Sequence, residues 1–463
     1  MSGPDRSWTI APTLLWFCGV VFAGLWVIDG DVQALADRVT SRRDAHDPQP
    51  AGPTFAARPV TVAEAKEDDK PIVLPVPDTG DRSRVGALAD VCLDGTPDKC
   101  KRWAMDGFYR AVADSKAGKL GRAVRVSWYG DSVVATDAIP ARLRTRLHGE
   151  LGDGGPGFVY VVPPHRFCGH EAITRWTTGE WSTHAISTQP HFDGIYGVGG
   201  STAETHGGRA TIKVVTGTVT NVELYYLGQP RGGTAVITAD GAEILRASTK
   251  ADAKRGGHAT GTVPAGAKKL EIAAEGKIRV YGLGLENATG AVVDNFGIVS
   301  VNVKNFAARN VDDFTSELAH RSADLMLVMI GANEAQWLAA NDRMTKDYQG
   351  RYEKAIAPLR KGRPEAACVV VSPLDQAEAK DGGYPSRPVM PFLVEAQRRA
   401  AHAQGCAFFS TYDWMGGKGA AAKWFKRGFI GSDFQHLQRK GANKLADGVF
   451  ETLMSGYQRY AKP

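Results

Sequence analysis

Three short stretches carry residue types that could together perform acyl chemistry through a serine nucleophile. Gly130-Asp131-Ser132 puts a hydroxyl at a turn, Gly331-Ala332-Asn333-Glu334 offers a side-chain amide, and Asp433-Phe434-Gln435-His436 sets a carboxylate three residues before an imidazole. A serine hydroxyl is a weak nucleophile until a neighbouring base takes its proton. A carboxylate bonded to one imidazole nitrogen orients the other toward that hydroxyl. An amide aimed into the same cleft can hold the oxyanion of a tetrahedral intermediate. Each stretch also has an ordinary explanation: an N-capping serine, a turn asparagine, a capping aspartate beside a surface histidine. Their order along the chain carries more weight than any one of them.

The elements around them are of the kind that would bring them together. Ala123, Val124, Val126 and Trp128 alternate as in a strand, and Ile139, Leu143, Leu147 and Leu151 recur every four residues as in a helix. Ser132 therefore lies at a strand-to-helix turn, where backbone N–H groups favour developing negative charge. Residues 325–330 read as a buried strand ending at Asn333, and in open α/β sheets that edge is where sites are built. Apolar runs at 368–372 and 406–410 alternate with helical stretches at 348–359 and 391–403, as a helix-flanked parallel sheet requires. A last helix carries Leu445, Val449, Phe450 and Leu453.

Between these parts, short strand-like segments at 210–215, 219–227, 234–239, 270–274 and 278–285 are spaced by Gly, Asn, Asp or Pro turns, the pattern of a small β-sandwich. Gly152-Asp153-Gly154-Gly155-Pro156-Gly157-Phe158 reads as a surface turn; it lacks the lysine and hydroxyl of a phosphate-binding loop. The stretch 165–206 holds His165, His170, His184, His191 and His206 and reads as loop. None of these spacings puts two histidines on one face of a short element, so no metal site is expected there. Trp176 and Trp181 are candidates for stacking on sugar rings.

The 463 residues suffice for two or three domains, and 43% hydrophobic with 23% charged residues describes an ordinary globular protein. The formal net charge of +6 is spread along the chain without a basic block, which argues against nucleic-acid binding. Residues 7–28 carry no charge and are long enough to span a bilayer. Arg6 before them and Asp29, Asp31 and Asp37 after them place the N-terminus in the cytoplasm and the rest outside. A signal peptide cleaved near Ala34-Leu35-Ala36 is the competing reading. The spacer up to Val85 holds seven prolines and cannot bury a core. In an oxidising compartment Cys92 and Cys100 could pair across their loop, and Cys368 and Cys406 could pair if their strands are neighbours.

With the three motifs in this order, the chain resembles the SGNH (GDSL-type) hydrolases, and within them the exported carbohydrate esterases of the peptidoglycan O-acetylesterase kind. The likeness to that branch includes Gly152–Phe158 and Met415-Gly416-Gly417 with Trp424. It implies an α/β fold: a three-layer sandwich around a parallel sheet, with an inserted all-β, carbohydrate-module-like sandwich, behind an N-terminal transmembrane helix. The corresponding spans are 1–6 cytoplasmic, 7–28 anchor or signal peptide, 29–85 linker, 86–170 first hydrolase part, 171–290 insertion and 291–463 second hydrolase part.

The resemblance further implies Ser132 as nucleophile, His436 as base and Asp433 as its orienting partner, without a cofactor. The oxyanion hole would combine Ser132, Asn333 and a residue of the family's second block. That block is matched best by Gly297-Ile298-Val299-Ser300, where Ser300 replaces a glycine; Gly297 itself, or Gly200 in Gly197-Val198-Gly199-Gly200, are the alternatives. The implied substrate is an acetylated envelope glycan, with peptidoglycan the expected one, met outside the cytoplasm by an inner-membrane-anchored protein. Acetyl transfer to a sugar, or glycan binding without catalysis, would use the same parts.

Overall fold

The alternation around Val124 becomes the second-to-edge strand of a seven-stranded sheet in the computed structural model of the chain, which describes residues 82–380 and 382–461. The sheet runs Arg84–Val85, Leu88–Ala89, Ala407–Phe409, Ala367–Val371, Leu325–Met329, Val124–Gly130, Ala291–Gly297. The last five are parallel, and the first two form an antiparallel edge. Period-two geometry sends Leu325, Leu327 and Met329 into one core and Met326 and Val328 into the other. Helices Asp106–Lys116, Ala138–Leu151 and Arg439–Ala461 cover the first face; Val311–Arg321, Asp342–Gly362 and Met390–Ala403 cover the second. Both faces are thus dry, as all-apolar parallel strands require.

The segment expected to be β-rich forms two antiparallel sheets. One has the order Ala242–Ser248, Thr234–Ala239, Lys269–Glu275, Arg209–Val214, Ile173–Thr178. The other has the order Arg255–Thr262, Asn221–Gly228, Lys277–Glu286, Ser201–His206, Trp181–Ala185. Val222, Leu224, Ile237, Ile272, Ile278 and Leu285 from both sheets share one core. The second sheet is apolar on its other side too. There Phe158 and Tyr225 meet at 5.3 Å, and Phe158 meets Phe296 of the parallel sheet at 5.1 Å.

Three expectations need correction. The stretch 165–206 is not all loop, since it contains the strands Ile173–Thr178, Trp181–Ala185 and Ser201–His206. The boundary at 170/171 falls too late, because Gly157–Val159 already pairs with Lys277–Glu286. The glycine run is not a surface turn either: residues 154–160 are buried. A Cβ on Gly154 would lie 2.3 Å from the Ala291 carbonyl oxygen, so the glycines let two backbones touch where the chain leaves and re-enters the parallel sheet.

That junction is held by ions. Arg321 is buried, and its Nε and Nη2 donate to Asp294 at 2.9 and 2.6 Å. Asp294 also accepts from the Ser127 hydroxyl and the Phe158 backbone N–H, each at 2.8 Å. Arg125 Nη2 holds Glu286 at 2.8 Å. Removing one partner of such a set leaves uncompensated buried charge. Arg321→Met is therefore expected to lower unfolding free energy by about 3–5 kcal/mol, read as a denaturant midpoint shift at unchanged slope.

Cys92–Cys100 and Cys368–Cys406 are disulfides; the second joins the neighbouring strands Ala367–Val371 and Ala407–Phe409 at their starts. The apolar stretch 7–28 and the proline-rich spacer up to residue 81 lie outside the described residues. Among the described residues no helix is long and apolar enough to cross a membrane.

Candidate active site

Gly130 ends its strand in register with Gly297 on one side and Met329 on the other, so three loops leave the same end of adjacent strands. The turn to Ser132 is tight. A Cβ on Gly130 would come within 2.3 Å of Val134 Cγ2, so only glycine fits. Asp131 caps the short helix Ser132–Ala135, its carboxylate accepting from the Val133 N–H at 3.0 Å. Ser132 is left half-buried at the first helical position, where backbone N–H groups lack intrahelical partners.

The hydroxyl Oγ of Ser132 lies 2.8 Å from His436 Nε2, and His436 Nδ1 lies 2.7 Å from Asp433 Oδ2. An ionised carboxylate only accepts, so the ring proton sits on Nδ1 and the Nε2 lone pair faces the serine. Asp433 Oδ1 also accepts from the backbone N–H groups of Gln435 and His436, both at 3.0 Å. Burial opposes ionisation of Asp433, but the hydrogen bonds from the His436 ring and from these two N–H groups bring it down to about 2. The hydrogen bond to Asp433 raises the His436 pKa above its usual value, against partial burial.

Phe434, between the two, has φ +54°, a conformation costly for an aromatic residue. Its buried ring stacks on Tyr384 at 4.5 Å and meets Phe425 at 4.8 Å, and this packing anchors the loop.

Asn333 stands at the end of Leu325–Met329, and its Nδ2 donates to the Val301 carbonyl at 2.8 Å. That bond ties it to the loop after Ala291–Gly297. Of the three second-block candidates, Gly297 donates its N–H to Asn295 Oδ1 at 3.0 Å, and Gly200 is buried among Ile186, Ile298 and Arg309. Ser300 alone is exposed at the loop tip, with φ +63°. That left-handed conformation is free for glycine and costs about 1–2 kcal/mol for serine. Trp176 and Trp181 lie on strands of the two antiparallel sheets rather than on these loops.

Several further residues support these loops. Glu334 is buried, its Oε1 accepting from the Val303 N–H at 2.7 Å. Burial pushes its carboxyl up to about 7, and Asp131, itself pushed up to about 6 by burial, adds to this. Gln336 Nε2 donates to Gln376 Oε1 at 2.6 Å and to Gln435 Oε1 at 3.1 Å, joining the Asn333 loop to the His436 loop. Gln376 in turn donates to the Ala332 carbonyl at 2.9 Å. Asp131, Glu334 and Gln435 fall inside the three motifs, whereas Gln336 and Gln376 do not.

Residues 269–442 match the GDSL-like Lipase/Acylhydrolase family. Together with the helix-flanked parallel sheet and the three loops at its carboxyl edge, this match supports an SGNH (GDSL-type) carboxylic ester hydrolase. Its structure is similar to that of a peptidoglycan O-acetylesterase, at 23% identity and a TM-score of 0.67 over 81% of this chain and 99% of that one. More distant likenesses are to a family two carbohydrate esterase from Clostridium thermocellum, 9% identical with a TM-score of 0.27 over 60% and 100% of the two chains, and to the salicylyl-acyltransferase SsfX3 of a tetracycline biosynthetic pathway, 14% identical with a TM-score of 0.27 over 62% and 95%. No curated protein matches the sequence. The family match covers Asn333, Asp433 and His436 and begins after Ser132.

Proposed function

We propose that the protein removes O-acetyl groups from an envelope polysaccharide, with peptidoglycan as the substrate, through Ser132, His436 and Asp433. The observation that carries this reading is the unbroken chain from Ser132 Oγ to His436 Nε2, 2.8 Å, and from His436 Nδ1 to Asp433 Oδ2, 2.7 Å, on the carboxyl edge of a parallel sheet. The fold likeness to a peptidoglycan O-acetylesterase supports the choice of glycan.

Ser132 Oγ attacks the acetyl carbonyl carbon while His436 Nε2 takes its proton. The oxyanion is met by the backbone N–H groups of Ser132 and Ser300 and by Asn333 Nδ2, each contributing about 3 kcal/mol. Collapse of the intermediate breaks the ester C–O bond, and His436 returns the proton to the leaving sugar oxygen. A water deprotonated by His436 then hydrolyses the acetyl-serine and releases acetate. The side chains of His436 and Asp433 remain 41% and 43% exposed, so water reaches the acyl-enzyme freely, which favours hydrolysis over transfer to a sugar.

In this reading residues 157–286 form an inserted, carbohydrate-module-like sandwich. The segment 7–28 anchors the protein in the inner membrane, with the catalytic part on the periplasmic side.

The test is acetate release from O-acetylated peptidoglycan by the full chain, with and without a sugar acceptor. Free acetate is expected in stoichiometry with lost ester. Acetyl groups appearing on the acceptor instead would turn the reading into a transferase, and no acetate from any acetylated glycan would overturn it.

A further inference from the structure

The loop carrying Asn333 has two sides. Gln336 faces the His436 loop, whereas the next residue, Trp337, turns its indole to solvent, 59% exposed. Beside Trp337 a cavity of about 80 Å³ opens between this loop and the one after Ala291–Gly297. Asn302, Lys304, Met344, Tyr348 and Arg351 complete most of its lining. The two walls are joined by the Val303 N–H to Glu334 Oε1 bond, 2.7 Å, and the Asn333 Nδ2 to Val301 carbonyl bond, 2.8 Å. The cavity is therefore tied to the loop that carries Asn333.

Its chemistry is specific. The indole lines it together with the apolar side chains of Leu338, Met344 and Tyr348, and two exposed cations, Lys304 and Arg351, lie in the same lining. The lining holds no carboxylate, and neither cation has an ion-pair partner among the described residues. Leaving a tryptophan so exposed forgoes burial of a large apolar surface, and such a surface beside a polar rim marks a binding site. An indole offers a platform for the C–H face of a sugar ring, and an unpaired guanidinium and ammonium complement a carboxylate.

We propose that this cavity is a subsite for a carboxylate-bearing sugar adjoining the ester-bearing one, with Trp337 under the ring and Lys304 and Arg351 on the acid. The inference rests on the reading of the neighbouring site as a polysaccharide esterase, and names the kind of polymer it takes. The carboxylate belongs either to a substituent of the sugar itself or to a peptide attached to it.

Binding is measured by calorimetry on the full chain carrying Ser132→Ala, so turnover is not needed and a wrong nucleophile would be detected separately by ester hydrolysis. The probes are peptidoglycan glycan strands with their peptides, the same strands stripped of peptides, and neutral chito-oligosaccharides. Strands are expected to bind, and the neutral oligosaccharide to bind about tenfold more weakly or not at all. Adding Trp337→Ala, or Lys304→Gln with Arg351→Gln, is expected to weaken strand binding about tenfold, and the double change to remove most of its salt dependence. All three positions are exposed, and an unchanged unfolding midpoint verifies that the variants fold. Removing the peptide frees the sugar's own carboxyl from its amide bond, so binding only of stripped strands assigns the acid to the sugar, binding only of peptide-bearing strands assigns it to the peptide, and binding of both shows that the subsite takes the acid from either source. Equal binding by the variants, equal binding of the neutral oligosaccharide, or no binding of any strand would each overturn the subsite.

Discussion

Ser132→Ala is expected to lower kcat for a chromogenic acetyl ester by about 10⁵–10⁶-fold, a barrier increase of roughly 7–8 kcal/mol. The size follows from what is left behind. With the hydroxyl gone, no covalent intermediate forms, and His436 can only activate a water that no bond holds in line with the carbonyl. The oxyanion donors persist, so a residual acceleration of about 10³–10⁴ over water should remain. Stability should hardly change, because the side chain is half-buried and, among the described residues, its only side-chain hydrogen bond is to a partly exposed imidazole. An unfolding midpoint matching the parent, together with lost burst-phase kinetics, is the expected pair of results. Retention of a tenth of the activity would exclude Ser132 as the nucleophile.

Asp433→Asn should cost about 10⁴ in kcat and also change the pH profile. The amide is isosteric, and its oxygen can still accept from the Gln435 and His436 backbone N–H groups, so the loop keeps its shape. What disappears is a partner that enforces the Nδ1–H tautomer and stabilises the imidazolium. The sign of the pH effect follows from the base. His436 works only when neutral, and the Asp433 hydrogen bond raises its pKa above the usual imidazole value of about 6.5. The parent should therefore lose kcat/KM as pH falls through a midpoint above that value. In the variant the raising interaction is removed, so the acid limb moves to lower pH while the plateau drops. A limb that stays in place would mean that another group sets it, with buried Asp131, pushed up to about 6, the first to examine.

The motifs themselves were legible because each is local. Asp131 caps the turn it precedes, and Asp433 reaches the N–H groups two and three residues on, so the chemistry of each loop is contained in three or four consecutive residues. The parallel strands were legible as well, since burial on both faces leaves an unbroken apolar run such as Leu325–Met329. The strands Ile173–Thr178 and Trp181–Ala185 were missed for the opposite reason. Thr174, Thr177, Thr178 and Ser182 face water at sheet edges, so no apolar alternation marks them.

The sequence by itself therefore determined which residues could serve as nucleophile, base and oxyanion donor, and on which turns they sit, because turn and strand propensities act over a few residues. Tertiary structure alone decided that Ser132 and His436, 304 residues apart, come within 2.8 Å. It also decided that Ser300 rather than Gly297 or Gly200 presents itself at the loop tip, and that Gln336 bridges the Asn333 and His436 loops. Those outcomes depend on which strands become neighbours. Burying Phe158, Tyr225 and Phe296 in one shared core, and closing Arg321 on Asp294, settles that at long range, with no local signal in the chain.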